Sequence, residues 1–185
     1  MQRFSEAAEN NKNHILLVLQ ERLPPNARVL EIGSGSGQHA LHIAAEMKSI
    51  IWQPTERSEG MPDLEKNLSD YGSPNILEPL QLDLSSEQWP DTDTNCVYSA
   101  NVMHIINEKL GESLVRGVGK NLSEEGLFIL YGPYKYSGDF TTQSNAEFDT
   151  WLKERDPNSG IRDFEWVTDL ANQHGLSLQA DLSMP

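Results

Sequence analysis

Apolar residues along this chain recur in two alternating rhythms. Behind Ser5, a residue suited to capping, Ala8, Ile15, Leu16, Leu19 and Leu23 return at three- and four-residue spacing until Pro24-Pro25 ends the run, which predicts a helix from Ser5 to about Leu23 that precedes the first strand. A second helix runs from Gly37 to about Met47, with Ala40, Ile43, Ala44 and Met47 on one face. Pro62 suits the first turn of a third, which Gly72 ends, and Glu108–Asn121 reads as a fourth despite Gly111, Gly117 and Gly119. Short apolar runs near 28–33, 50–55, 77–82, 95–100 and 126–131 read as strands. This alternation indicates an α/β fold: a mainly parallel sheet with helices on both faces, which binds ligands outside the carboxyl ends of its strands.

The first strand runs into Glu31-Ile32-Gly33-Ser34-Gly35-Ser36-Gly37-Gln38-His39, a glycine-rich turn that opens a helix and so reads as a nucleotide-cofactor cradle. Dinucleotide folds usually show G-x-G-x-x-G with pyrophosphate on the helix N-terminus. Here the spacing is G-x-G-x-G and Glu31 stands two residues ahead, where a carboxylate repels pyrophosphate and suits the cationic amino and sulfonium groups of S-adenosylmethionine. That disfavours NAD, and the arrangement resembles motif I of the class I methyltransferases. Two further acids end predicted strands. Glu56 lies 19 residues beyond Gly37, near the spacing at which an acid accepts both ribose hydroxyls, and Asp83, followed by Leu84, falls where such folds hold the adenine amino group. Any one of these acids alone reads more readily as a solvated loop residue, but three at the ends of three successive predicted strands form a specific pattern.

Composition narrows the partners. With 185 residues the chain fits one domain, 1–185, and its formal charge of −14 argues against nucleic acid and against an anionic membrane surface. Cys96 sits in an apolar stretch without metal-ligand spacing and reads as a small buried hydrophobe. The start lacks a secretion signal and no run approaches a membrane span, so the expectation is a soluble, cytoplasmic protein, monomeric or homodimeric.

The fourth and fifth strands lead into Asn101-Val102-Met103-His104 and Tyr131-Gly132-Pro133-Tyr134-Lys135-Tyr136, which would bring an amide, an imidazole and phenols to the cofactor edge. His104 reads either as a base, since an unperturbed imidazole titrates near the working pH, or as a histidine satisfied structurally at a helix start. Tyr131 and Tyr134 read as packing aromatics or as phenols facing a cleft. Residues 137–163, with a short helix around Ala146–Lys153, read as a substrate cover or as a surface excursion.

Together, Glu31-x-x-Ser34-Gly35-Ser36-Gly37-Gln38-His39-Ala40, Trp52-Gln53-Pro54, Asn101-x-x-His104, Tyr131-Gly132-Pro133-Tyr134, Gln143-Ser144-Asn145 with Phe148-Asp149, and Gly160-x-Arg162-Asp163 resemble the methyltransferase-like protein 26 family, also called domain of unknown function 938. The resemblance spans nearly the whole chain. It implies a Rossmann-like class I methyltransferase fold, S-adenosylmethionine as cofactor and an unassigned methyl acceptor, a small molecule or a peptide or protein group. The alternative is a non-catalytic cofactor-binding module. By this resemblance Asn11, Glu31, Gly33, Ser34, Gly35, Gly37, His39, Glu56, Asp83, Leu84 and Asn101 would hold the cofactor, with no metal, while His104, Asn101, Tyr131 and Tyr134 would serve catalysis. Where the family shows Glu-Arg-Asn, this chain has Glu9-Asn10-Asn11, so Asn11 or Lys12 would have to meet the cofactor carboxylate. The resemblance also implies a closing antiparallel strand, for which only Ser183-Met184-Pro185 remain after 176–182. The expectation is that 176–182 pairs directly with Leu127–Leu130, that a second chain fills the slot, or that this tail is poorly fixed.

Overall fold

Ser5 caps the first helix: its Oγ accepts from the Ala8 N–H at 3.3 Å, and α1 runs Glu6–Arg22 with Ile15, Leu16 and Leu19 buried. Then follow β1 (Arg28–Ile32), α2 (Gln38–Glu46), β2 (Ile51–Glu56), α3 (Met61–Tyr71), β3 (Leu80–Gln81), β4 (Cys96–Ala100), α4 (Glu108–Asn121) and β5 (Leu127–Tyr131). The chain continues through β6 (Lys135–Tyr136), β7 (Asp139–Phe140), α5 (Gln143–Arg155) and α6 (Phe164–Gln173). This computed structural model describes residues 1–184 and divides into two units. The first takes Met1–Ser99, Asn121–Ile129 and the chain from Leu182; the second takes Ala100–Lys120 and Leu130–Asp181.

Strand order in the sheet is β3-β2-β1-β4-β5, and β1 pairs in parallel with both β2 and β4. Val29, Leu30, Ile32, Trp52, Cys96, Val97 and Tyr98 are buried along it. The third strand is much shorter than the expected 77–82, for a reason visible in β2. Pro54 has no N–H to give, so the parallel ladder between β2 and this segment breaks at that point. Trp52 bridges to Ile76, and pairing resumes only at Thr55 with Leu80, so three steps on one strand face four on the other. The Gln53 side chain fills the gap by donating to the Glu78 carbonyl at 2.7 Å.

In the second unit, β6 and β7 form a hairpin around Ser137 and Gly138, both at positive φ (52° and 85°), the conformation a two-residue turn requires. Thr142 caps α5, its Oγ1 accepting from the Asn145 N–H at 3.1 Å, and the helix extends beyond the expected 146–153. No predicted element corresponds to α6, which follows Asp163. Residues 176–184 form no strand, so the expected pairing of 176–182 with Leu127–Leu130 is absent and β5 ends the sheet order. Local bonds replace it: Leu176 N–H closes the end of α6 on the Ala171 carbonyl at 3.0 Å, and Gln179 donates to Ser177 Oγ at 2.9 Å. Among the described residues no helix is long and apolar enough to cross a membrane.

Candidate functional site

In the first unit, the loop between β1 and α2 holds Gly33, Gly35 and Gly37 all at positive φ (73°, 57° and 79°). Two of these glycines stand in different surroundings. A Cβ on Gly37 would stand 2.9 Å from Leu64 Cδ1, so glycine here lets the loop close on α3; a Cβ on Gly35 would meet nothing within 4 Å, so that flank is open space. The loop is stitched to β2 on its other side. Ser34 N–H donates to the Thr55 carbonyl at 2.9 Å, and the Thr55 N–H donates back to Ser34 Oγ at 3.1 Å.

Glu31 is not the solvent-facing carboxylate that its proposed pairing with cofactor cations implied. It is only 2% exposed, and one oxygen, Oε2, accepts from Ser34 Oγ at 2.7 Å and from the Trp52 indole N–H at 2.9 Å. Burial pushes its carboxyl up to about 7; the bonds from Trp52 and Ser34 oppose that rise, and the charge of Glu56 adds to it. Glu31 braces the loop from below.

Glu56, at the carboxyl end of β2, holds the loop from above: Oε2 accepts from Gly35 N–H at 2.6 Å and Oε1 from Arg57 N–H at 2.9 Å. Each oxygen, accepting one of these bonds, keeps a further lone pair. Asp83 is exposed after β3, where bonds from the Ser85 N–H and hydroxyl, both 2.8 Å, hold its carboxyl below the usual carboxylate range. Both bonds fall on Oδ1, and Leu84 beside it is half-buried.

Asn11 and His39 are brought together, though with each other. Both are buried, with His39 Nε2 2.7 Å from Asn11 Oδ1 and Nδ1 3.2 Å from the Tyr98 hydroxyl. That pairing fits a neutral ring with its proton on Nε2, and burial pushes His39 down to about 4. Lys12 is paired with Glu9. Asn11 is thus held by α2 through its carbonyl oxygen, and Lys12 is paired within α1. Sequence reasoning missed Asn67, which is buried on α3; the signal was a polar residue on the same stripe as Leu64 and Leu68. A cavity of about 200 Å³ lies at the amino ends of β1 and β2, lined by Arg28, Ile51 and Asp93 among others, at the opposite strand ends from the glycine loop.

The second unit holds all four residues expected to be catalytic, Asn101, His104, Tyr131 and Tyr134. Asn101 adopts φ 58°, a conformation asparagine tolerates, and its N–H donates to the Tyr131 carbonyl at 2.8 Å. A Cβ on Gly132 would stand 3.4 Å from His104 Nδ1 and 3.8 Å from Asn101 Oδ1, which places the imidazole and the amide around one point. The His104 ring meets Phe148 edge-on at 5.2 Å, and Phe148 stacks on Trp151. The loop after α5 holds the histidine's backbone: Gly160 N–H donates to the His104 carbonyl at 2.9 Å, while Asp149 accepts from Ile161 N–H at 2.7 Å and pairs with Lys153 at 2.6 Å. The loop at Gly160 and Ile161 thus packs against the His104 turn.

Of the two readings of His104, its surroundings favour the structurally satisfied histidine over the base. Burial pushes its pKa down to about 4, and the Arg162 guanidinium adds to the effect, so the ring is neutral at neutral pH and a poor proton sink. The Tyr134 hydroxyl is buried without a partner among the described residues, and burial raises its pKa. Tyr131 is half-buried.

Several solved structures share this fold. The S-adenosylmethionine-dependent methyltransferase SibL in its apo form matches with a TM-score of 0.76 at 16% identity, over 91% of this chain and 49% of that one. An O-methyltransferase family protein from Burkholderia thailandensis gives 0.79 at 11%, over 93% and 53%. CalO1, a methyltransferase in calicheamicin biosynthesis in its SAH-bound form, gives 0.73 at 14%, over 94% and 50%. The chain therefore has the Rossmann-like class I methyltransferase fold and spans about half the length of these structures. The model of the family described as protein of unknown function (DUF938) matches residues 2–185.

Proposed function

We propose that this chain, which belongs to the DUF938 family, binds S-adenosylmethionine at the β1–α2 loop and is a methyltransferase. The observation that carries the reading is the Glu56 carboxylate closing on Gly35 N–H while the flank of Gly35 stays open, a cradle that any Cβ would narrow. Gly33, Ser34, Gly35 and Gly37 would hold the cofactor, Glu56 would accept from its ribose, and Asp83 with Leu84 would meet its adenine. When bound, the cofactor supplies both the electrophilic methyl group and its leaving group. What remains for the chain is alignment. Asn101, Tyr131 and Tyr134 would orient the acceptor, and His104, neutral and buried, would accept a hydrogen bond rather than carry away a proton. An acceptor that arrives already ionised, or one needing no deprotonation, suits such a site.

The burial of the His104 ring against Phe148 also favours a second reading, a cofactor-binding module without turnover. One experiment separates the readings. Calorimetry with S-adenosylmethionine, its demethylated product and NAD comes first, followed by tritium transfer from labelled cofactor into fractionated cell extract. Binding with transfer supports the enzyme, and binding alone supports the module. Glu56→Ala should weaken the cofactor about tenfold or more, since charge-assisted bonds are lost; unchanged affinity would sink the assignment. A soluble cytoplasmic setting fits this chemistry.

A further inference from the structure

Residues Gln2–Ser5 form a strap ahead of α1, and two buried side-chain amides grip its backbone. Asn67 Oδ1 accepts from Gln2 N–H at 2.8 Å, and Asn67 Nδ2 donates to the Gln2 carbonyl at 3.0 Å. At the other end, Gln38 Oε1 accepts from Ser5 N–H at 2.6 Å, and Gln38 Nε2 donates to the Ser5 carbonyl at 3.1 Å. Both amides also hold the middle of the glycine loop. The second hydrogen of Asn67 Nδ2 reaches the Ser36 carbonyl at 2.9 Å, and Gln38 Oε1 accepts from Ser36 Oγ at 3.0 Å. Gln38 Nε2 has one other partner, Glu9 Oε2, at 3.4 Å.

Beyond the cap that Ser5 gives α1, little else fixes the strap. Phe4 is 55% exposed, Met1 is exposed, and the Arg3–Asp63 pair is long, at 3.8 Å, and open to solvent. A segment that buries little apolar surface opens at low cost, so its docking depends on the two amides. If the strap leaves, Asn67 and Gln38 lose partners inside a buried pocket, and the bonds that orient them toward Ser36 go with it.

We propose that Gln38 and Asn67 are positioning residues that couple docking of the strap Gln2–Ser5 to the shape of the glycine loop through Ser36. The strap must be seated for the loop to keep its ligand-binding form. Because the grip is on backbone, the presence of the strap matters and its side chains matter little. Coupling of this kind is reciprocal: whatever tightens the loop also seats the strap. The choice of S-adenosylmethionine as the loop's ligand rests on the reading above; the coupling itself does not.

The test is amide hydrogen exchange on the full chain, on the chain lacking Gln2–Phe4, which keeps the Ser5 cap, and on Asn67→Leu. Gly35 and Gly37 are the reporters, since their N–H groups are bonded to Glu56 and to the Ser34 carbonyl. Removing Gln2–Phe4 should speed their exchange about tenfold with the unfolding midpoint unchanged, the scale of one or two lost hydrogen bonds. In the full chain, saturating S-adenosylmethionine should slow exchange at Gln2 and Ser5, which a purely structural strap would not show. Unchanged exchange at Gly35 and Gly37 without the strap overturns the coupling, as does a saturated loop with unprotected strap amides. If the full chain binds no S-adenosylmethionine, the cofactor reading fails, and the exchange comparison still decides the coupling by itself. Should Asn67→Leu fail to fold, the strap deletion alone decides it.

Discussion

The Trp52 indole N–H and the Ser34 hydroxyl converge on one oxygen of Glu31, at 2.9 and 2.7 Å, so a side chain from β2 and one from the glycine loop meet on a carboxylate of β1. That convergence makes the loop's footing sensitive to a single proton. Glu31 titrates at about 7 in the fold against an ordinary value of 4.5, so the folded state holds the proton more tightly. Its contribution to stability is complete below pH 4.5 and is lost as pH rises through about 7. Glu31→Gln removes this dependence. Urea denaturation across that window should show the variant gaining on the parent by roughly 3 kcal/mol, and a gap that does not change with pH would contradict the assignment.

His39 carries the opposite sign. Its pKa falls from 6.5 to about 4, so its contribution is present above pH 6.5 and is lost as pH drops through about 4. Asn11→Leu strands His39 Nε2 in a buried site and should cost about 1–3 kcal/mol at neutral pH, read by thermal or urea unfolding. A cost near zero would mean that water replaces the asparagine.

For His104 the ring itself is the measurement. Its buried imidazole should remain neutral down to about pH 5 when followed by nitrogen-15 NMR, unlike an exposed histidine. A midpoint near 6.5 would restore it as a general base. Once an acceptor is known, turnover should show no His104 limb between about pH 5 and 8, and His104→Gln should alter acceptor binding more than pH dependence.

Asp149 offers a contrast between two substitutions. Asn keeps an acceptor for Ile161 N–H and loses the Lys153 pair; Leu removes both. Asp149→Leu should therefore be less stable than Asp149→Asn by about 1–3 kcal/mol. The His104–Phe148 contact offers a spectroscopic check, because loosening the Gly160–Ile161 loop should shift the His104 ring resonances in the Leu variant more than in the Asn variant.

Four of the five sheet strands were legible to within a residue or two, because buried parallel strands write continuous apolar runs such as Val29–Ile32 and Cys96–Tyr98. The third was overdrawn since a ladder broken by Pro54 still leaves Ile76, Leu77, Leu80 and Leu82 apolar. The hairpin of β6 and β7 was missed because two-residue strands carry no period. In α6 a helical signal did exist, in Val167, Leu170 and Ala171 behind Asp163, and the polar residues before it masked it. At the site, the glycines and Glu56 could be placed from spacing. The inward turn of Glu31 could not, since it depends on Trp52 from a neighbouring strand, and neither could the neutral state of His104, which depends on burial.

The interruption at Pro54 has a mechanical consequence. The segment ahead of Asp83 hangs from β2 by two separate groups of backbone bonds: one at Trp52, with Asn75 and Leu77, and one at Glu56, with Leu82. Between Trp52 and the pairing that resumes at Thr55 with Leu80, the Gln53 amide spans the interval. A continuous ladder would lock the Asp83 turn to the frame that carries Gly33–Gly37. A hinged attachment lets the Asp83 turn and the glycine loop be adjusted independently, so an insertion near Glu78 and Pro79 should move Asp83 without disturbing the loop that Glu56 holds.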